Sequence, residues 1–340
     1  MIDRDILSRP SGMICRFGGL RIPITERLEG ALVNINNLIA LWRHNGATSI
    51  SIYLLSELFS LATYQRYAAI ASDLLGTNIV MIRVRDYAML VDIEDLGISR
   101  NLLLFGTWED KLATLFEEEL RKLGGELNNG LVVDIGANIG YYALLESTSL
   151  GDDAEVLAIE PAKDNARLLE RNVHLNGLTE RVSIHQGAIG DRTGTAILQR
   201  SRRSNLHRIE HERVSDRRGG SHKTQLWTLD EFLRSQGRDP QAVNVVRMDL
   251  EGYELEALEG MEEVINGEGP LLLYIEVHNN IFDEEEATRV PELLAAAGFE
   301  IRGVERGIVT GRPFDVTFSA QTWEELPAIE KAYGLIAVKE

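Results

Sequence analysis

The chain has 340 residues, 44% hydrophobic and 26% charged, with a formal net charge of −18, long enough for one large domain with an extension. So acidic a balance argues against a nucleic-acid binder, because phosphate backbones are met by basic faces. A single cysteine, Cys15, excludes an internal disulfide framework and a cysteine-based zinc cluster, and fits a reducing, cytoplasmic setting.

The opening residues, "MIDRDILSRP", are polar and precede no apolar run, so no signal peptide is expected. Residues 25–75 read as two helices broken at "HNGATS" (44–49), where Asn45-Gly46 is a turn signal. The longest apolar run, "ISIYLLSELFSLATYQRYAAIASDLL" (50–75), is interrupted by Glu57, Gln65, Arg66 and Asp73. A bilayer span needs about 20 mostly uncharged residues, so a buried helix is expected. A weak membrane-surface contact and self-association through these N-terminal helices are compatible with it.

"IVMIRVR" (79–85) and "YAMLVDI" (87–93) alternate and predict a hairpin, and "GTWEDKLATLFEEELRKLGG" (106–125) has helical spacing ending on glycines. From residue 131 strands alternate with helices. "LVVDIG", "EVLAIEP", "RVSIHQGAIG", "VNVVRMDLEG" and "LLLYIEVHN" read as apolar strands. "IGYYALLESTSL", "AKDNARLLERNVHLNG" and "YELEALEGMEEVI" read as helices. That pattern predicts an α/β domain, a mostly parallel sheet with helices on both faces. The chain then divides into a helical extension (1–77), a hairpin with a lead-in helix (78–130) and the α/β domain (131–340).

In such sheets ligands bind beyond the carboxyl ends of the strands, which selects the residues after each one. "VVDIGANIGYY" (132–142) fails the dinucleotide pattern, since position 138 is Asn and 141 is Tyr. Asp134 followed by Gly136, Asn138 and Gly140 instead suits S-adenosylmethionine, which carries an ammonium, a carboxylate and a sulfonium but no phosphate. Asp134 would attract the ammonium, directly or through water, and the turn's N–H groups would face the carboxylate. The same turn without a ligand is a plain strand-to-helix link. Glu160, about twenty residues further on, stands where an acid meets ribose hydroxyls, and Gly187 and Ala188 leave room for adenine.

The fourth and fifth strands end in "MDLEGYE" and "IEVHN", which gathers Asp249, Glu251, Glu276 and His278 at one edge. Methyl transfer needs in-line alignment, dry surroundings and a base. His278, neutral near physiological pH, is the base candidate, with Asp249 orienting the acceptor or supporting His278. The structural alternative makes Asp249 a turn acid and His278 a capped surface residue. These side chains could ligate Mg²⁺ or Mn²⁺, but no tight ligand spacing is visible and no metal is expected.

"VVDIGANIGYYALL", "AIEPAKDNARLLERNVHLNG", "GAIGD", "TLDEFL", "VRMDLEGYELEALEG" and "LLLYIEVH", in this order, resemble the FkbM family of S-adenosylmethionine-dependent methyltransferases, over about residues 78–280. The resemblance implies the Rossmann-like class I fold with a seven-stranded, mostly parallel sheet. It also implies cofactor contacts at Asp134, Gly136, Asn138, Gly140 and Glu160. Asp249, Glu251 and Gly252 match its D-x-E-G segment, Glu276 and His278 its E-x-H, and Trp108-Glu109 an aromatic-Glu element that would close over the cofactor. The implied activity is O-methylation of a sugar or glycoconjugate hydroxyl.

The sequence departs from that family at residues 1–77 and at "RSRRSNLHRIEHERVSDRRGGSHK" (200–223), which holds eight Lys/Arg, three His and three acids. This basic stretch is expected as a mobile loop, either simply solvated or using Arg202 and Arg203 to hold an anionic acceptor such as a uronate or sugar phosphate. Two other readings stay open: a methyltransferase acting on RNA or protein nitrogen, and a non-catalytic adenosyl-cofactor-binding scaffold. A dehydrogenase fits least.

Overall fold

The computed structural model describes residues 14–17, 20–23, 61–125, 127, 129–199, 208–210, 221–306, 322–330 and 332–340. The helix break expected at 44–49 lies outside them. β1 (Ile14–Phe17) and β2 (Leu20–Pro23) form an antiparallel ribbon. α1 (Leu61–Leu75) is helical as expected; among its described side chains Tyr64 and Ala68 pack inward with Leu96, while Ile70, Leu74 and Leu75 are exposed, against the expectation of a buried helix. Tyr64 and Ala68 are an i,i+4 pair and so lie on one face of the helix.

The expected hairpin is β3 (Ile79–Val84) and β4 (Tyr87–Asp92), turning at Arg85 with φ +51°. Two asparagines, one in a later helix (Asn172) and one at its C-cap (Asn176), cover the outer edge of β4. Asn176 bonds both backbone groups of Ala88, and Asn172 both of Leu90, which satisfies an edge that would otherwise pair with another chain. The lead-in is two helices, α2 (Ile98–Phe105) and α3 (Asp110–Gly124). Gly106 turns left-handed to end the first and Glu109, at φ +46°, caps the second.

From residue 131 the chain runs β5 (Leu131–Ile135), α4 (Tyr141–Ser149), β6 (Glu155–Ile159), α5 (Lys163–Leu175), β7 (Val182–His185), β8 (Ala188–Ile189), β9 (Gly194–Gln199) and β10 (Arg208–Glu210). It continues through β11 (His222–Trp227), α6 (Leu229–Ser235), β12 (Val245–Asp249), α7 (Glu254–Glu259), α8 (Glu262–Ile265), β13 (Leu271–Val277), α9 (Glu284–Ala296), β14 (Glu300–Arg306) and β15 (Tyr333–Lys339). The large sheet has the order β14-β15-β13-β12-β5-β6-β7. β15 alone runs antiparallel, between β13 and β14. Alternation along the strands divides the core. Val133, Ile135, Met248 and Ile275 face α6, α7 and α9, whereas Val132, Val245, Leu272 and Tyr274 face α3, α4 and α5. This is the expected seven-stranded Rossmann-like methyltransferase fold, and strand order reverses between β5 and β12.

Three expected elements differ. "RVSIHQGAIG" is two strands: β7 stays in the large sheet, whereas β8 pairs with β11 in a four-stranded sheet ordered β10-β9-β11-β8. The chain crosses at Gly187, where a Cβ would lie 2.0 Å from the Trp227 ring. The helix "YELEALEGMEEVI" breaks into α7 and α8 at Gly260, whose missing Cβ lets it approach Gly190 O, 1.9 Å from where that atom would stand. Finally, the basic stretch is not all loop, because Arg208–Glu210 and His222–Trp227 pair with β9. Thr224 and Leu226 alternate inward there, too short a pattern to stand out among charges.

Candidate active site

A cleft of about 500 Å³, counting space open to solvent, lies at the carboxyl ends of β5, β6 and β12. Of the expected site residues, Gly136, Asn138, Glu160, Ala188, Asp249 and Glu251 line it. Its apolar wall includes Leu198 and Ile209 of the small sheet; the sequence analysis singled out neither, and Ile209 lies within the stretch expected as a loop. A smaller recess shares Gly136, Asn138 and Asp249 and adds Trp108, Tyr142 and Arg247.

The glycine turn is shaped by close approach. Gly136 has φ +78°, and a Cβ there would stand 2.3 Å from Asp249 O. Asn138 adopts φ +51°, which asparagine tolerates better than most residues. The N–H groups of Gly136 and Ala137 donate to Ile159 O, that of Gly140 to Ala137 O and that of Asn138 to Glu160 Oε2. The expectation that these N–H groups face a ligand carboxylate therefore fails for these four. For the same reason the turn cannot cradle a pyrophosphate. Gly140 lines neither cavity; it caps α4 under Leu169.

Glu160 is 4% exposed and also accepts from Ala162 N–H at 2.7 Å. Burial raises its pKa to about 7 against those hydrogen bonds. A cleft-lining carboxylate with lone pairs to spare, and the enclosed, unpartnered Oδ1 of Asn138, suit a hydroxyl-bearing ligand. Apolar walls, a diol acceptor and no phosphate cradle fit an adenosyl group without pyrophosphate.

Sheet register assembles the charges. Arg247 lies opposite Asp134 on one side and Tyr274 on the other, and Asp249 opposite Glu276. Asp134 is wholly buried and pairs with Arg247 at 3.3 Å. Burial raises its pKa to about 6, with Arg247 opposing. The expected direct contact of Asp134 with an ammonium group is thus closed off, and its influence on the recess passes through Arg247. That guanidinium also meets Asp249 Oδ2 at 3.3 Å and Gly136 O at 3.1 Å, and lies 4.3 Å from the Tyr142 ring centroid. Sequence reading missed Arg247, although a cation inside "VVRMD" two residues before Asp249 was the available signal. Glu109 Oε2 accepts from the Tyr142 and Tyr274 hydroxyls at 2.7 Å each, while its Oε1 is enclosed and unpartnered. Burial and the nearby Asp249 charge raise the Glu109 pKa.

Beyond β12 the backbone turns sharply, with Glu251 at φ +54° and Gly252 at φ +99°. That turn brings Glu254, wholly buried, back over the strand end. Glu254 Oε1 accepts from the N–H groups of Leu250 and Gly252 and lies 2.8 Å from His278 Nδ1. His278 Nε2 faces Glu251 at 3.4 Å and Glu276 at 3.6 Å. Burial alone would lower the His278 pKa, but Glu254, Glu276 and Asp249 outweigh it and raise it to about 11. The neutral base expected from sequence is therefore an imidazolium at physiological pH, because Glu254 was not recognised as its neighbour. Burial, then Asp249 and Glu109, push Glu276 well above the usual carboxylate range. Arg202 and Arg203 lie outside the described residues.

The model of the methyltransferase FkbM domain matches residues 134–301. Curated relatives include methyltransferase sdnD of Sordaria araneosa, 27% identical, the match covering 44% of this chain and 67% of that protein. Another is hexuronic acid methyltransferase AglP of Haloferax volcanii, 29% identical, with 46% of this chain and 59% of AglP covered. Solved structures of similar shape include the SAM-dependent methyltransferase from Agrobacterium tumefaciens (TM-score 0.42, 11% identity, covering 77% of this chain and 70% of that one). Pyrococcus horikoshii TYW2 in complex with MeSAdo is another (TM-score 0.40, 11% identity, 82% and 83% covered). At such scores the fold assignment rests on strand order and not on these likenesses. Residues 134–301 of the chain therefore carry a methyltransferase FkbM domain.

Proposed function

We propose that the protein is an S-adenosylmethionine-dependent methyltransferase acting on a hydroxyl of a sugar or glycoconjugate, with acidic sugars the first candidates. The observation that carries this reading is the cleft at the β5–β12 reversal, where apolar walls and Glu160 adjoin a recess holding Asp249 and Arg247. The cofactor supplies an electrophilic methyl group. Glu160 and Asn138 receive its hydroxyl-bearing part, and Ala188, Leu198 and Ile209 its flat apolar part. Asp249 lines both cavities and takes the acceptor's hydroxyl proton, while His278 holds Glu251 and Glu276 beside it. Acidic sugars come first because one relative is named for hexuronic acid and because Arg202 and Arg203 stand in the basic stretch.

The test supplies methyl-labelled cofactor with uronate-bearing glycans, neutral glycans, RNA and protein. Label in a base-stable ether on a glycan is expected. A base-labile methyl ester, or label confined to RNA or protein, would contradict the hydroxyl assignment. With a charged acceptor, neutralising Arg202 and Arg203 together should raise KM about tenfold or more, the loss of roughly one charge-assisted contact; an unchanged KM removes their role.

A further inference from the structure

The strand-end acids have a geometry that proton transfer alone does not require. One donor atom each from Asp249, Glu276 and His278 lie within 4.8 Å of one another. Donors on opposite sides of a hard divalent cation lie about 4–5 Å apart, at metal–oxygen distances of 2.0–2.6 Å. We infer that Asp249, Glu276 and His278 form a binding site for a hard divalent cation such as Mn²⁺ or Mg²⁺, at the junction of the two cavities.

Three further observations support it. Asp249 Oδ1 is enclosed and has no hydrogen-bond partner, although the other oxygen of that carboxylate is held by Arg247. An enclosed carboxylate oxygen without a donor is costly, and a cation relieves that cost. Next, His278 is oriented as metal-ligating histidines are. Nδ1 is held by Glu254, whose own Oε1 is fixed by two backbone N–H groups, and this turns Nε2 toward Glu251 and Glu276. The third is charge. Asp249, Glu251, Glu254 and Glu276 surround a single imidazole, and Arg247 is already divided between Asp134 and Asp249. Two carboxylates and one imidazole, whose Nε2 proton the cation would displace to solvent while Nδ1–H stays on Glu254, suit Mn²⁺ or Mg²⁺ rather than a thiophilic metal. Three protein ligands leave positions for water or for an acceptor oxygen; the cation would polarise that hydroxyl beside the methyl donor, and its proton would pass to Glu251, which lines the cleft, in place of Asp249, now a ligand.

Metal binding is measured without turnover, so this inference and the methyl-transfer reading fail separately. The untagged full chain, stripped with chelator and dialysed, is titrated with Mn²⁺ and followed by electron paramagnetic resonance and calorimetry. One tightly held Mn²⁺ per chain is expected, with nitrogen coupling from a single imidazole in the spin-echo spectrum. Asp249→Asn and Glu276→Gln should each weaken binding at least tenfold, and His278→Gln should also abolish the nitrogen coupling. Glu254→Gln, which removes only the support of His278, should weaken binding about 10–100-fold. Absence of bound Mn²⁺ at millimolar concentration in the folded wild type would overturn the site, as would bound Mn²⁺ without nitrogen coupling. The wild-type spectrum decides the matter even if a variant fails to fold.

Discussion

At the β5–β6 end of the site, the N–H groups of Gly136, Ala137, Asn138 and Gly140 all have protein acceptors, and one carboxylate, Glu160, joins the turn to the next helix. At the β12–β13 end, four carboxylates face one imidazole, and Oδ1 of Asp249 and Oε2 of Glu254 lack partners. The first half is a finished receptacle: its shape comes from small residues and closed backbone hydrogen bonds, and Oδ1 of Asn138 is left for a ligand. The second holds unbalanced charge that a proton, a cation or a substrate must relieve. Strongly shifted pKa values of this kind cluster at functional sites.

Arg247 is the link between the halves, and its removal should have the largest effect. Arg247→Met leaves Asp134 buried without its cation and is expected to cost about 3–5 kcal/mol in urea unfolding near neutral pH. A loss under about 1 kcal/mol would mean that the strand-end charges are not held together through this residue. The next effect separates the halves by pH. Folded Glu160 keeps its proton up to about pH 7, whereas an ordinary glutamate releases it near 4.5. The native state therefore binds more protons between those values, and the stability Glu160 contributes, complete below about 4.5, is lost as pH rises through 7. Relative to Glu160→Gln, the wild type should lose about 3 kcal/mol across that window; a flat difference would refute the raised pKa. The smallest effect is a baseline. Asp283→Ala removes the capping box of α9, away from both halves, and should cost about 1 kcal/mol while leaving Mn²⁺ and cofactor binding unchanged.

The two halves also differ in how far they were legible in the sequence. Gly136, Asn138, Glu160 and Ala188 sit within about fifty residues, each just past an apolar strand, so strand order alone brought them together. The acids of β12 and β13 were legible as strand ends, but their chemistry was not. His278 read as a neutral base because Glu254 seemed an ordinary helix acid; only the turn at Glu251 and Gly252 puts it against the ring. Asp134 read as a ligand because nothing local shows that Arg247, 113 residues on, lies opposite it. The breaks at Gly187 and Gly260 depend on Trp227 and Gly190, contacts that periodicity within a single segment does not contain.

The claim on which the rest depends is that the finished half holds an adenosyl cofactor without a pyrophosphate. Thermal unfolding in buffer, with S-adenosylhomocysteine and with NAD, tests it most directly, since a ligand of the folded state raises Tm. A clear rise with saturating S-adenosylhomocysteine, and none with NAD, is predicted. No rise with S-adenosylhomocysteine, or an equal rise with NAD, would contradict the account.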